Sequence, residues 1–417
     1  MRYSLPVLMG VLVVTATVTV GTPALSPGPA TPEADRGAAD AVVAPIVSTQ
    51  NSSNYLAIPE SGNERTRFGN ASLDFGATVA VDSARLQESL AGQSAVEAFR
   101  AAPNTSAKTA VLQRAVADLE NRTTALFQRQ QRSVESFNDG RISAELLFRR
   151  VAEIDSRARA IYSSARRIER VAGNTEGYVI SFDLSTRFNN VEQRTGLLST
   201  EVRSNVVDSL AGTRDSRRYL MTASNDGFVV AGVDQGQYVR EAYIDSRYQR
   251  SGSDRFDGDL GAAIDYVYEL YPWAENNQRR PYPDIEPIVS SIYRATINHK
   301  HGRLVTYLDG SNGEIFFETQ EKRLSTLPVT GTATARNATA DLAARVNMSH
   351  PTGPMEMTVR DTTSGDAVDA RIVVDGQFVG TTGADGRLWT VQPGANTRIE
   401  VIAGDDRLTF STIHTGG

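Results

Sequence analysis

The sequence predicts an α+β protein of several domains, with an N-terminal antiparallel helical hairpin, a central antiparallel sheet with a covering helix, and a C-terminal β-sandwich. Three patterns predict this class: apolar residues at helical spacing from Leu112 to Ala172, short apolar runs separated by turns over 213–324, and apolar–polar alternation after Met355. A chain of 417 residues is long enough for roughly two to four domains.

Composition excludes several functional classes. The net charge is -6 and the sequence pI is near 5.5, which argues against a nucleic-acid partner, because such a domain carries a basic face that neutralises phosphates. The chain has no cysteine, so disulfides, thiolate zinc sites and cysteine nucleophiles are excluded.

The N-terminus has the layout of an exported protein. Arg2 is followed by an apolar stretch to about Gly21 and then by small residues and prolines, which is typical of a secretory signal peptide. Residues 1–24 are therefore predicted to be a signal peptide or a retained membrane anchor. Residues 25–54 are rich in Ala, Pro, Ser and Thr, which predicts a disordered spacer.

Six N-x-[ST] sequons are candidate glycosylation sites, in agreement with export. They begin at Asn51, Asn70, Asn104, Asn121, Asn337 and Asn347. Because none of them lies between Asn121 and Asn337, we expect the decorated surface to lie on the flanks of the protein rather than in its centre.

The helical pattern is strongest over 107–172, within a mainly helical domain predicted over 55–212. The second half of this stretch has an uninterrupted 4-3 apolar spacing from Leu147 to Ala172, as in a coiled coil. Gly140 is a natural helix stop, and Ser143 is a natural cap for the next helix. The pattern predicts an antiparallel hairpin. We further expect a strand over 177–184 and a third helix between Phe188 and Leu210.

The central region, 213–324, alternates strands and turns. Two strands flank the Asn225–Asp226–Gly227 turn, a third follows, and apolar residues from Leu260 to Tyr271 predict the covering helix. The tyrosines and the tryptophan near this helix are expected to be core residues, with Pro272–Trp273 as the first place to look for an exposed patch.

A family resemblance accompanies this pattern. The stretch RLVTYLDGSNGEIFFE, Arg303 to Glu318, with a helix ahead of it, resembles the end of a PepSY-type domain, over Asp259 to Arg323 at most. That resemblance implies a secreted or membrane context and the inhibition or chaperoning of peptidases. It implies no catalytic residue.

A linker is predicted over 325–354 and a β-sandwich over 355–417. In the stretch VDGQFVGTTGADGRLW, Val374 to Trp389, a strand-like run follows Gly386. A phosphate loop would instead open a helix there, so the glycines predict hairpin turns. The module resembles carboxypeptidase regulatory-like (prealbumin-like) domains, which are binding or structural extras. The whole chain resembles secreted and cell-surface proteins of halophilic archaea.

No reactive constellation stands out. His299 and His301 lie two residues apart, but a metal site needs a third ligand and the sequence offers none at fixed spacing. The sequence also has no G-x-S-x-G elbow. A carboxylate pair contributed by distant segments stays open. We therefore expect no catalytic residue, metal or cofactor.

The favoured hypothesis is a non-catalytic cell-surface protein that mediates interaction or assembly in the envelope, with a protein or glycan partner and possible attachment to the membrane through the N-terminal apolar segment. The alternatives are a peptidase modulator acting through the PepSY-like region and an enzyme, for example a glycan-active one. A polar cleft between the central sheet and the helical hairpin is the structural feature that bears most directly on this choice.

Overall fold

The computed structural model describes residues 46–49, 51–58, 64–249, 252–280, 284–289, 291–328, 333–338, 341–394 and 397–411. Within them the protein is α+β, as predicted. The α-helices are α1 (Phe75–Ala101), α2 (Thr105–Asn138), α3 (Ala144–Gly173), α4 (Phe182–Gly196), α5 (Glu201–Leu210), α6 (Leu260–Leu270) and α7 (Pro272–Asn276). The predicted signal peptide or anchor, 1–24, lies outside the described residues. No helix among the described residues is apolar enough over a sufficient length to cross a membrane.

Helices α2 and α3 form the predicted antiparallel hairpin. Gly140 closes α2 in the left-handed conformation with a φ of 76°. The Ser143 side chain then caps α3 by accepting a hydrogen bond from the Leu146 amide. The predicted 4-3 stripe from Leu147 to Ala172 is buried throughout, so the spacing identified the core-facing side correctly.

Two sequence expectations for the helical region are wrong. The strand expected over 177–184 is instead a connection followed by the first turn of α4, capped by Ser181. The expected third helix is two helices, because the chain leaves helical geometry after α4 and Thr200 caps α5 as a new start. Helix α1 was missed by the hairpin prediction; its buried side consists mainly of alanine, valine and glycine, which give a weak apolar pattern.

The central sheet has eight antiparallel strands in the order β3-β4-β5-β6-β10-β9-β8-β7. They are β3 (Arg65–Ala71), β4 (Arg217–Ala223), β5 (Gly227–Asp234), β6 (Gln237–Ile244), β7 (Asp284–Val289), β8 (Ile292–His299), β9 (Gly302–Asp309) and β10 (Glu314–Arg323). Strand β3 comes from the predicted helical domain, 55–212. That segment and the predicted central domain, 213–324, therefore share one sheet.

The two faces of this sheet belong to different cores. Alternate side chains such as Tyr219 and Val230 pack against the helices α1–α5. Their neighbours, such as Leu220 and Val229, pack with α6, α7 and the C-terminal module. Burial on both faces explains why β4 and β5 are nearly continuous apolar runs rather than alternating ones.

A short hairpin precedes the sheet. Strands β1 (Ile46–Thr49) and β2 (Ser52–Leu56) pair with each other around Asn51. The predicted spacer, 25–54, is therefore wrong over 46–54, because Ser53, Asn54 and Leu56 are buried under the sheet. Its remaining part, 25–45, lies outside the described residues.

The C-terminal module is a β-sandwich of two four-stranded sheets, in the orders β11-β12-β13-β16 and β15-β14-β17-β18. Its strands are β11 (Ala333–Ala338), β12 (Leu342–Met348), β13 (Pro354–Asp361), β14 (Arg371–Val374), β15 (Gln377–Thr381), β16 (Arg387–Val391), β17 (Arg398–Ala403) and β18 (Asp406–Ser411). The sandwich was predicted, but the predicted linker, 325–354, contains β11 and β12.

The linker prediction failed because small residues weaken the apolar–polar alternation that would mark a strand. Along β12, Leu342, Ala344, Val346 and Met348 point into the core. Alanine and threonine occupy much of the rest of this stretch, which gives it the composition of a connection. The glycine-rich stretch, in contrast, forms the predicted turns: Asp375–Gly376 joins β14 to β15, and Gly383–Gly386 leads into β16.

Candidate functional site

A polar cavity of about 300 Å³ lies between the helices and the far half of the sheet. Its floor is the helix-side face of β8, β9 and β10, where side chains stand in cross-strand rows. One row is Arg294, Tyr307 and Phe317; the next is Thr296, Val305 and Thr319; the third contains Arg303 and Glu321. The helical bundle covers the neighbouring strands more fully, so an open groove is left here.

The wall of the cleft is the connection between α4 and α5, together with Asp284 of β7. A buried ion pair fixes this wall on the sheet. Arg203 of α5 contacts Glu241 of β6 at 2.5 Å, and these side chains are 1% and 0% exposed. The Thr200 hydroxyl, which also caps α5, donates to the same carboxylate at 2.5 Å. Charge-assisted contacts thus fix the position of this wall on the sheet.

One end of the cleft is acidic. Arg303 contacts both Glu321 and Glu201, the latter at 3.4 Å. Partial burial, followed by the hydrogen-bonded carboxyl of Glu321, raises the pKa of Glu201. Two carboxyls therefore converge on the single guanidinium of Arg303, so this end has one more acidic group than basic groups.

The other end contains a paired arginine, with Asp284 also in the lining. Arg294 forms an ion pair with Glu286 at 2.6 Å, and its Nε is buried without a hydrogen-bond partner among the described residues. Arg294 pairs with Tyr307, four residues along β9 from Arg303. At about 3.3 Å per residue, the two ends are roughly 13 Å apart. Threonine hydroxyls and Val305 line the floor between them.

The cleft lining is rich in hydrogen-bonding groups. The cleft lining contains no histidine or cysteine, and its serine, Ser199, hydrogen-bonds to the Asp155 carboxyl. Glu201 and Glu321 hydrogen-bond to each other, and both contact Arg303. The groove thus provides several hydrogen-bonding groups for an extended ligand.

Sequence reasoning missed these residues individually. Glu201, Arg294, Arg303 and Glu321 lie far apart in sequence and meet only through strand order and register. One clue existed: β8 carries the polar residues Arg294, Thr296 and Asn298 at alternate positions, which indicates that one face of this strand meets water.

The histidine pair lies on the opposite side of the sheet. Lys300 and His301 form the turn between β8 and β9, and the His299 ring is completely buried. The ring of His301 stacks on Trp273 at a centroid distance of 5.2 Å. Burial lowers the pKa of His299 to about 3. No group of three or more potential metal ligands occurs in the described part of the chain.

The aromatic residues around α6 are packed as core. Tyr271 and Tyr293 are buried, and Trp273 is half-buried between His299 and His301. The core expectation therefore agrees with the structure for these tyrosines, and at Pro272–Trp273 only the proline is exposed.

A second buried polar group joins the sheet to the sandwich. Arg240 of β6 pairs with Glu318 of β10 at 2.8 Å, and both are almost fully buried. Arg240 also donates to the Leu56 carbonyl and to the Thr352 hydroxyl, while Tyr271 donates to Glu318. These contacts tie together the N-terminal hairpin, the sheet and the loop before β13. This cluster is a structural joint, because every charged group in it is already paired.

The six sequons fall in different environments. Asn51, Asn104 and Asn121 are exposed, and Asn70 is half-buried. Asn104 uses its side-chain oxygen to cap α2. Asn347 is 6% exposed and donates to Glu356, so it is poorly placed to carry a glycan. The side chain of Asn337 lies outside the described residues.

Comparison with protein families divides the chain into three parts. Residues 1–215 match a domain of unknown function, DUF7096, and residues 219–328 match a family of unknown function, DUF7094. Residues 333–410 match an archaeal fibronectin-III type-like domain. That match begins at β11, in agreement with the structural start of the sandwich and not with the predicted linker.

These matches refine the resemblances stated above. The fibronectin-III type-like module agrees with the predicted likeness to archaeal proteins and with the C-terminal β-sandwich, but it replaces the carboxypeptidase regulatory-like assignment. A comparison with curated proteins found no match. Because the first match covers more than half of the 417 residues, the chain belongs to the family described as domain of unknown function DUF7096.

Proposed function

We propose that the protein is an exported, non-catalytic cell-surface protein whose polar cleft binds an extended polypeptide segment of a partner in the envelope. The N-terminal sequence supports export, and the fibronectin-III type-like module is of an extracellular kind. The single observation that carries the binding role is the cleft itself, with Arg294 at one end and the Glu201–Glu321 pair at the other.

The charge layout favours a peptide. An extended chain advances about 3.3 Å per residue, so the roughly 13 Å between the two ends accommodates about four residues. A basic side chain at the Glu201–Glu321 end would complement the second carboxyl there, and a hydrogen-bond acceptor at the other end would meet the Arg294 guanidinium. The hydroxyls of Thr296 and Thr319 are placed to contact the main chain between these anchors.

A glycan is less well supported. Sugar-binding grooves commonly use exposed aromatic faces, because such faces are large, rigid and apolar. The aromatic residues in this floor, Tyr307 and Phe317, are 8% and 2% exposed, so they offer little face for stacking. A glycan ligand is therefore one outcome of the test rather than the proposal.

Peptidase modulation is the second candidate. The observation in its favour is the order of elements behind the PepSY-like resemblance: α6 precedes the three adjacent strands β8, β9 and β10, which end at Arg323. Helix α6 packs on the sheet face opposite the cleft. In this alternative the cleft need not contact the peptidase.

Site-specific photocrosslinking in cells tests the proposal. A photoreactive amino acid replaces Thr319 in the cleft or, as a control, Thr381 on the exposed part of β15. We expect a protein adduct at Thr319 that the Thr381 position does not give. An adduct that glycosidase removes and protease does not would replace the peptide by a glycan. A peptidase in the adduct would favour the second candidate, and equal labelling at both positions would exclude a cleft ligand.

A further inference from the structure

Helix α1 has apolar residues on two opposite faces. Its inner face, which includes Val81, Ala84 and Phe99, is buried in the bundle. Four large apolar residues point the other way: Phe75, Val79, Leu86 and Leu90 are 76%, 66%, 58% and 60% exposed. At 100° per residue these four lie within a single stripe, opposite the buried face.

The inner face is already fully packed, so the outer stripe is not a misplaced core. Helices α1 and α3 approach so closely that a Cβ on Gly92 would lie 2.5 Å from the Ser164 Cβ. The hydroxyls of Ser156 and Ser164 donate to α1 carbonyls at 3.4 and 3.3 Å. Rotating α1 to bury the outer stripe would break this contact.

The spacing of the stripe is symmetric. Its mid-point in sequence lies between Asp82 and Ser83. Phe75 and Leu90 are equally far from this mid-point on opposite sides, and so are Val79 and Leu86. An isologous interface requires this kind of self-complementary pattern, because two-fold symmetry pairs each residue with its mirror position on the other copy. We propose that the outer stripe of α1 binds a second copy of this chain, antiparallel, with the two-fold axis between Asp82 and Ser83.

The pairing brings large residues opposite each other in two layers. Phe75 of one copy packs against Leu90 of the other, and Val79 packs against Leu86, on each side of the axis. The shorter Asp82 and Ser83 at the centre permit the helices to approach. The stripe runs from Phe75 to Leu90, fifteen steps along the helix, or about 23 Å at 1.5 Å per residue. This length places the interface at the small end of specific contacts, as a reversible dimer.

The charges fit a protein partner better than a lipid surface. Exposed charges on α1 occur as two internal pairs, Asp82 with Arg85 at 2.8 Å and Glu97 with Arg100 at 3.0 Å. This face therefore has no cationic surplus with which to attract anionic lipid. In the antiparallel arrangement, the Asp82–Arg85 pairs of the two copies flank the axis, where each carboxylate meets a second guanidinium.

Sedimentation of the full chain tests the interface. We expect a concentration-dependent dimer, with Leu86→Lys raising its dissociation constant by about tenfold or more, because it buries an unpaired charge at the contact. The matched control is Tyr162→Lys, at a half-exposed aromatic on α3, which should leave the dimer unchanged. A chain that stays monomeric at high concentration, or one whose dimer tolerates Leu86→Lys, would overturn the proposal.

Cysteine crosslinking tests the register independently of stability. Because the chain has no cysteine, Ser83→Cys and Gln93→Cys each introduce a single thiol. The proposed axis brings the two copies of residue 83 together, whereas the two copies of residue 93 lie about 30 Å apart at 1.5 Å per residue. We expect a disulfide-linked dimer from Ser83→Cys and none from Gln93→Cys. Equal crosslinking of both variants, or crosslinking of Gln93→Cys alone, would contradict the antiparallel pairing.

Discussion

Arg240 and Glu318 form a 2.8 Å ion pair across neighbouring strands, buried where the central sheet meets the N-terminal hairpin and the sandwich. The backbone of Leu56 contacts both partners: its carbonyl accepts from Arg240 at 2.6 Å, and its amide donates to Glu318 at 2.8 Å. This pair makes the attachment of three segments depend on one charge interaction.

Removing one charge of this pair is expected to be costly. Glu318→Gln leaves Arg240 buried without its counter-ion, which should lower the free energy of unfolding by about 3–5 kcal/mol. Urea titration followed by circular dichroism measures the change. The control is Glu400→Gln on the sandwich, whose partners Arg398 and Arg407 are largely exposed and whose loss should cost about 1 kcal/mol or less. An equal decrease in the free energy of unfolding of the two variants would show that the Arg240–Glu318 pair is no more important than an exposed one.

The pair under the cleft wall permits a double-substitution test. Arg203→Met alone leaves the buried Glu241 carboxylate without its counter-ion, which should lower the free energy of unfolding by about 3–5 kcal/mol. Adding Glu241→Leu to Arg203→Met should recover most of that lost stability. Denaturant unfolding of both single variants and of the double variant gives the coupling energy. A double variant no more stable than the single ones would mean that the wall depends on the other bonds of Glu241.

Lys322 should make stability depend on alkaline pH. Burial lowers the pKa of Lys322 from its ordinary value of 10.5 to about 7. Between these values the unfolded chain binds more protons than the folded chain, so the free energy of unfolding should rise with pH across this window. Lys322→Met should remove that rise and be at least as stable at pH 7. A pH profile identical in both proteins would show that the ammonium is not desolvated.

Glycan occupancy should follow exposure rather than the sequon alone. We expect modified peptides containing Asn104 or Asn121, and an unmodified peptide containing Asn347, whose side chain is buried against Glu356. Mass spectrometry of peptides from the exported chain measures this. Full occupancy at Asn347 would mean that β12 is accessible when the glycan is attached.

Local patterns predicted those elements whose apolar spacing is strong. The α2–α3 hairpin followed from an uninterrupted stripe with Gly140 as its stop, and the sandwich followed from alternation after Met355. Weak patterns failed: α1 buries mostly small residues, and β12 is rich in alanine. These elements are stabilised mainly by packing against the rest of the fold, which the local sequence pattern does not reveal.

The cleft could not have been predicted by the same means. Its carboxyl pair joins Glu201, at the start of a helix, to Glu321 on a strand more than a hundred residues later. Their approach depends on the sheet order, in which β10 lies between β6 and β9, and on the Arg203–Glu241 contact that seats α5. The sequence left a carboxylate pair open as a possibility without indicating its members.

The most direct test of the proposed binding role is to fill the cleft while measuring crosslinking from Thr319. Val305 lies between Thr296 and Thr319 in the middle row of the floor, so Val305→Trp occupies the groove without altering either charged end. If the cleft binds a peptide segment, the Thr319 protein adduct disappears in this variant while the melting temperature changes little. An adduct of undiminished yield in a folded Val305→Trp protein would contradict the proposed function.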